Sequence, residues 1–254
     1  MTQEKAPQSA EKASAPDAAP DALSAPAAAP PIPFPIAGIG ASAGGLEAFE
    51  QFFRHLPNDI GMAFVLVPHL DPSHASILNE ILQRSTTMPV VEAQDQSVVE
   101  PNHVYIIPPN RDMEIFHGTL QLTVPGQPRG QRMPIDAFLR SLADDQGEHA
   151  VGIVLSGTGT DGTLGLRAIL GAGGITIAQE PSTAKYDGMP SSAIQSGFVT
   201  MVLPADEMPH ALQSGTRSSR RCPRREPAAA ACSASCNCCA APPDTISPST
   251  RRAR

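Results

Sequence analysis

The sequence predicts a doubly wound α/β fold, with a mostly parallel sheet, helices on both faces and a short antiparallel insert. Three observations predict it. A chain of 254 residues, 41% of them hydrophobic, can bury one sizeable core. From Phe34 to Leu212, short apolar runs end in Gly, Pro or Asp and give way to amphipathic segments, an alternation that lays parallel strands between helices. One stretch breaks the rhythm: Val104 to Val124 alternates apolar and polar residues around turns, as an antiparallel insert does.

"FPIAGIG" (34–40) reads as the first strand, and "GLEAFEQFFRHL" (45–56) as a helix with Leu46, Phe49, Phe52, Phe53 and Leu56 on one face. "MAFVLV" (62–67) is a second strand. "SHASILNEILQRS" (73–85) is a helix with Ile77, Leu78, Ile81 and Leu82 on one face, and "MPVVEA" (88–93) is a third strand. After the insert, "PIDAFLRSLADD" is helical, "AVGIVLSG" a strand and "TLGLRAILGAG" a helix closed by Gly171 to Gly174. "GITIAQE" is a strand, "PSSAIQSG" a short helix and "VTMVLP" the last strand.

The ends differ in texture from the 34–212 domain. Residues 1–33 are Ala, Pro, Ser and charge, a solvated tail with no apolar run for a signal peptide or a membrane span. Residues 213–254 are rich in Arg, Ala, Ser, Pro and Cys, the composition of a disordered appendage. The switch also reads like GC-rich codons translated out of frame. All five cysteines lie there (Cys222, Cys232, Cys236, Cys238, Cys239), so the folded region asks for no oxidising compartment. Thiolates so closely spaced can bind zinc or copper(I), but no helix or strand pattern flanks them to fix ligand geometry, and the expectation is no metal. After Leu212 eight Arg face only Glu226 and Asp244, a balance of +6, so with a total of −7 the rest carries −13. An acidic body does not suggest nucleic acid.

An open α/β sheet does its chemistry in loops at the carboxyl ends of its strands. The first strand runs into "GIGASAGG" (38–45), which fits two motifs. As G-x-G-x-x-A it is a dinucleotide-binding turn, which needs an acidic residue at the tip of the second strand. That strand ends in Val67-Pro68-His69, and Asp59 lies before it. As G-x-S-x-G, Gly40 to Gly44 is an elbow presenting Ser42, with glycine needed on both sides because the backbone turns sharply against its neighbours.

If Ser42 and His69 sit at equivalent ends of adjacent parallel strands, about 5 Å apart, an imidazole lies within reach of a hydroxyl. The bland alternative is a satisfied loop histidine, and a metal reading of His69, Asp71 and His74 lacks a known spacing. A third strand runs into "LSGTGTDGTLG", where Asp161 precedes a helix and reads alone as its N-cap. In company with the other two, a carboxylate there can orient an imidazole during acyl transfer. The chain order serine, histidine, aspartate is not that of α/β-hydrolases.

Taken in order, "IGASAGG", "HVYIIPPNRDMEI", "AVGIVLSGTGTDGTLGL" and "AQEPSTAKYDGMPSSAI" resemble the catalytic domain of chemotaxis protein-glutamate methylesterases, the CheB type, over residues 34–212. The resemblance implies a Ser42–His69–Asp161 triad, no cofactor, a cytoplasmic location without membrane insertion, and hydrolysis of glutamate methyl esters on chemoreceptor cytoplasmic helices. It also implies deamidation of glutamine there. Well-studied members carry Thr after the nucleophile and Met where this chain has Thr158. Here Ala43 and Thr158 stand at those positions, so backbone N–H groups must supply the oxyanion hole.

Those members also carry an N-terminal receiver domain, which residues 1–33 cannot form, so control is absent or comes from a partner. "GASAGGLEAFE" and "HLDPSHASIL" are more similar to fusions of this domain with a receptor methyltransferase, which is therefore an expected partner; a frame-shifted fragment of one explains the C-terminus. Met189, in "YDGMP", is expected beside the cleft, although Pro190 also marks a plain helix start. Arg111 and Asp112 fall in the insert and are candidates to touch substrate, with a solvated turn the preferred reading. The non-enzymatic alternative is a scaffold domain of a sensory hub that binds receptor or methyltransferase without turnover.

Overall fold

A computed structural model of the chain describes residues 34–69, 75–126 and 132–219. The strands are β1 (Ile36–Ala41), β2 (Ala63–Pro68), β3 (Val90–Glu92), β4 (Ser97–Val98), β5 (Val104–Ile106), β6 (Asp112–Phe116), β7 (Thr119–Thr123), β8 (Ala150–Val154), β9 (Ile175–Gln179) and β10 (Met201–Leu203). The helices are α1 (Gly45–Arg54), α2 (Ala75–Ser85), α3 (Pro134–Gln146), α4 (Thr163–Gly171), α5 (Gly188–Gln195) and α6 (Met208–Ser219). The chain divides into two compact units after Gln213, and the first holds every strand described.

Seven strands pair in the order β10–β9–β8–β1–β2–β5–β3, every contact parallel. The strands' two-residue period sends alternate side chains to opposite faces, and both faces are covered. Ala37, Ile39, Phe64, Leu66 and Ile153 join one cluster with the buried residues of α1, α2 and α6; Ile36, Val65, Val67 and Val154 join another with α3, α4 and α5. Phe52, Phe53 and Phe64 meet edge to face at centroid distances of 5.1 to 5.9 Å and anchor α1.

β1 is the middle strand: the chain leaves it towards β2 on one side and returns through β8 on the other. That reversal opens a crevice at the carboxyl ends of β8, β1 and β2.

Two expectations are corrected. Val104–Ile106 lies in the parallel sheet between β2 and β3, because three consecutive buried residues suit a strand covered on both faces; the antiparallel insert is β6 and β7 with β4 at its edge. α6 was not foreseen and runs to Ser219, past residue 212. Met208 and Leu212 bury its first turns, but the polar residues after them carry no apolar face to read. The cysteine-rich stretch lies outside the described residues, and no helix among those described is long and apolar enough to cross a membrane.

Candidate active site

The register of the three central strands aligns their tips. Ala41 pairs with Pro68, so Ser42 and His69 each stand one residue beyond the same rung. Hydrogen bonds continue past the strand ends: His69 N–H donates to Ala41 O (2.9 Å), Leu155 N–H to Gly40 O (2.9 Å) and Ser42 N–H to Ser156 O (3.0 Å). Gly45 N–H donates to Ser42 O (2.9 Å) and opens α1 one turn later. The flanking glycines are both needed: Gly44 has φ +72°, and a Cβ on Gly40 would lie 2.3 Å from Ile135 Cγ2.

His69 Nε2 lies 2.9 Å from Asp161 Oδ2. The Asp161 side chain is buried, and its carboxylate is saturated with donors. Oδ1 accepts Asp136 N–H (2.9 Å) and Gly162 N–H (2.9 Å), and Oδ2 accepts Ile135 N–H (3.1 Å) beside the imidazole. Asp161 is thus not the cap of the helix that follows it. The N-cap of α4 is Gly162, with no side-chain cap, and Asp161 instead takes the first free N–H groups of α3, whose positive end favours its charge.

With Nε2 committed to Asp161, Nδ1 is the imidazole nitrogen left to act as a base. Ser42 Oγ makes no hydrogen bond among the described residues, a slack common before substrate closes such a site.

Ser42, His69, Thr158 and Asp161 line a cavity of about 600 Å³. Arg111 and Asp112 line it too, from a segment that is also open to solvent: Pro109, Asn110 and Arg111 are exposed and Asp112 is half-buried, so the solvated turn forms one wall of the cavity. Arg132 donates to Asn110 (3.2 Å) and stands 4.0 Å from Asp112 Oδ1, while Arg111 has no acceptor or ion-pair partner among the described residues.

Thr158 N–H and Ala43 N–H find no acceptor among the described residues, whereas Ser42 N–H is taken by Ser156 O. Met189 is not beside the cavity. It is fully buried, its N–H donates to Gly157 O (2.9 Å), and its sulfur lies where a Cβ on Gly157 would go, so it supports the loop carrying Thr158 from beneath.

Several residues behind the site were not anticipated. Ser156 Oγ donates to Ala43 O (2.9 Å) and accepts Tyr186 N–H (3.0 Å), while Ser156 N–H donates to the buried Gln179 Oε1 (2.8 Å). Gln179 Nε2 donates onward to Thr183 O (3.2 Å), so one buried polar chain ties the loops after β1, β8 and β9. Its one sequence signal was a glutamine closing an apolar strand. A Cβ on Gly157 would lie 2.9 Å from Ser42 Cβ. Gly157→Ala is therefore expected to push Ser42 out of line and lower kcat by on the order of 10²-fold while circular dichroism stays unchanged.

No cluster of three or more metal-ligating side chains occurs among the described residues; Asp71 and His74, weighed with His69 as ligands, lie outside them.

A parallel sheet whose strand order reverses at its middle strand, with a serine elbow there and an Asp-bound histidine beside it, has a known counterpart. Residues 37–212 match the CheB methylesterase family. The chain belongs to that family.

The solved CheB methylesterase catalytic domain of Thermotoga maritima is similar to it, with a TM-score of 0.67 and 28% identity, over 72% of this chain and 99% of that one. Protein-glutamate methylesterase/protein-glutamine glutaminase 3 of Burkholderia orbicola (strain AU 1054) is 37% identical over 186 residues, 70% of this chain and 55% of that protein. An uncharacterised 104.1 kDa protein of Rhodobacter capsulatus is 46% identical over 123 residues, 48% of this chain and 13% of that protein. The chain thus spans about half the length of the Burkholderia relative and a small part of the Rhodobacter one. Membership in the CheB family accounts for the parallel sheet and the small antiparallel insert together, since the Thermotoga domain is covered almost end to end.

Proposed function

We propose that the chain hydrolyses glutamate methyl esters on polypeptide substrates through Ser42, His69 and Asp161. The observation that carries this is the 2.9 Å contact of His69 Nε2 with a buried, fully hydrogen-bonded Asp161, on the wall of the cavity that also holds Ser42. His69 takes the Ser42 hydroxyl proton as Oγ bonds to the ester carbonyl carbon. The free N–H groups of Ala43 and Thr158 receive the oxyanion, and Asp161 holds the imidazolium. Collapse of the adduct breaks the bond to methoxide, which leaves as methanol with the proton from His69. Water, deprotonated by His69, then attacks the acyl carbon; the bond to Ser42 Oγ breaks, His69 returns its proton to Oγ, and a glutamate carboxylate is freed. The chain's own side chains supply every proton carrier, so no cofactor is needed.

Methylated chemoreceptor cytoplasmic helices are the proposed substrate, and glutamine deamidation a second activity of the same triad; the name of the Burkholderia relative, a methylesterase and glutaminase, supports both reaction types. Arg111, on the cavity wall and without a partner among the described residues, offers its charge to carboxylates beside the ester, which accumulate on a substrate as its esters are removed. A cytoplasmic location follows from such a substrate, and a receptor methyltransferase is the proposed partner by similarity to fusion proteins.

Incubation with methylated receptor helices should release methanol at a rate proportional to enzyme. Tight binding without methanol would instead establish a scaffold.

A further inference from the structure

We propose that Asp136 is a positioning residue: by tying the first turn of α4 to the first turn of α3, it fixes the Asp161 carboxylate against His69. This role rests on Asp161 acting as proposed above.

Neither helix has a side-chain cap of its own, since Met133 and Gly162 stand at their N-caps. Each is served by an aspartate from the other's side. Asp161, just before α4, accepts Ile135 N–H (3.1 Å) and Asp136 N–H (2.9 Å) of α3; Asp136, within α3, accepts Gly165 N–H (2.7 Å) of α4. Both carboxylates are buried, at 3% and 4% exposure, so these bonds form away from competing water. The stretch that bears Asp161 needs such a tie. Gly159 and Gly162 on either side of it both have φ +92°, and glycine backbone has little stiffness of its own. Asp161 is thus held at two points: directly by the amino end of α3, and through α4 by the bond from Gly165 to Asp136.

The arrangement is not the most stable one. Burial pushes the Asp136 carboxyl above its usual range; the Gly165 N–H opposes that, the Asp161 charge adds to it, and Arg140 and the Gly162 N–H pull it back. An acid whose folded-state value is raised stabilises the fold only while protonated, and that contribution fades as pH rises through the folded value. A neutral acceptor of the same shape keeps the bond from Gly165 N–H without a buried charge, so Asp136→Asn should unfold no earlier than the parent.

The test compares the full chain with Asp136→Ala and Asp136→Asn in three measurements: kcat and KM for ester hydrolysis, the rate at which a fluorophosphonate reagent labels Ser42, and thermal unfolding. Asp136→Ala is expected to lower kcat and labelling by about 10- to 100-fold with KM changed less than about twofold, since orientation rather than binding is lost. Asp136→Asn, which keeps the acceptor for Gly165 N–H, should restore most of both rates.

Equal labelling of the parent and Asp136→Ala overturns the positioning role alone. So does a loss in Asp136→Ala that only matches its unfolded fraction, or a failure of Asp136→Asn to restore rate. A parent chain that is neither labelled at Ser42 nor active on any ester overturns the proposed function, and the positioning role with it.

Discussion

Ser42→Ala is expected to lower methanol release by about 10⁴-fold or more, the scale on which deletion of a triad nucleophile acts, without changing the melting temperature by more than a degree or two. The stability half follows from position. Ser42 Oγ bonds to nothing among the described residues, and the contacts that hold the elbow are made by its backbone N–H and C=O. The substitution therefore removes a reactive atom and leaves the scaffold standing. Burst kinetics in the parent chain, absent from the variant, would identify the acyl-serine. Turnover within tenfold of the parent would remove Ser42 from the nucleophile role and leave a water activated by His69 as the attacking group.

Asp161→Asn should lose both activity and stability, and for one reason. Each carboxylate oxygen faces two N–H donors: Asp136 and Gly162 at Oδ1, Ile135 and the imidazole at Oδ2. At the Oδ1 place the amide nitrogen confronts two backbone donors that it cannot serve; at the Oδ2 place it leaves Ile135 N–H unpaired and turns His69 to the tautomer that carries its proton on Nδ1, where it is no base. A buried donor left unpaired costs about 1 to 3 kcal/mol, so a fall in melting temperature is expected alongside a fall in kcat of about 10⁴-fold as His69 loses its orienting charge. Retention of both would show that Asp161 neither orients His69 nor caps α3.

Much of the site was legible in the sequence, because parallel strands are short, uniformly apolar and carry their loops at one end. Once "FPIAGIG" and "MAFVLV" read as consecutive strands, the equivalence of Ser42 and His69 followed from register, and the Ala41–Pro68 pairing bears it out. What stayed hidden depends on long-range contact. Asp161 looked like the cap of its own helix because local sequence cannot show that α3, more than twenty residues upstream, presents its amino end to the same carboxylate. Met189 follows a loop at the strand ends, yet its side chain turns inward beneath Gly157, a direction that only the packing of α5 decides. Ser156 and Gln179 are ordinary polar residues at strand ends, and their role comes from three loops meeting. Val104–Ile106 misled because a three-residue strand is too short to show its period.

One carboxylate serves both as the terminus of a helix and as the partner of an imidazole. Any agent that frays the amino end of α3, whether heat, urea or acid, also releases His69 from its charge partner. Inactivation curves should therefore run ahead of the global melt, and residual turnover in a half-denatured sample would gauge how often that single turn opens.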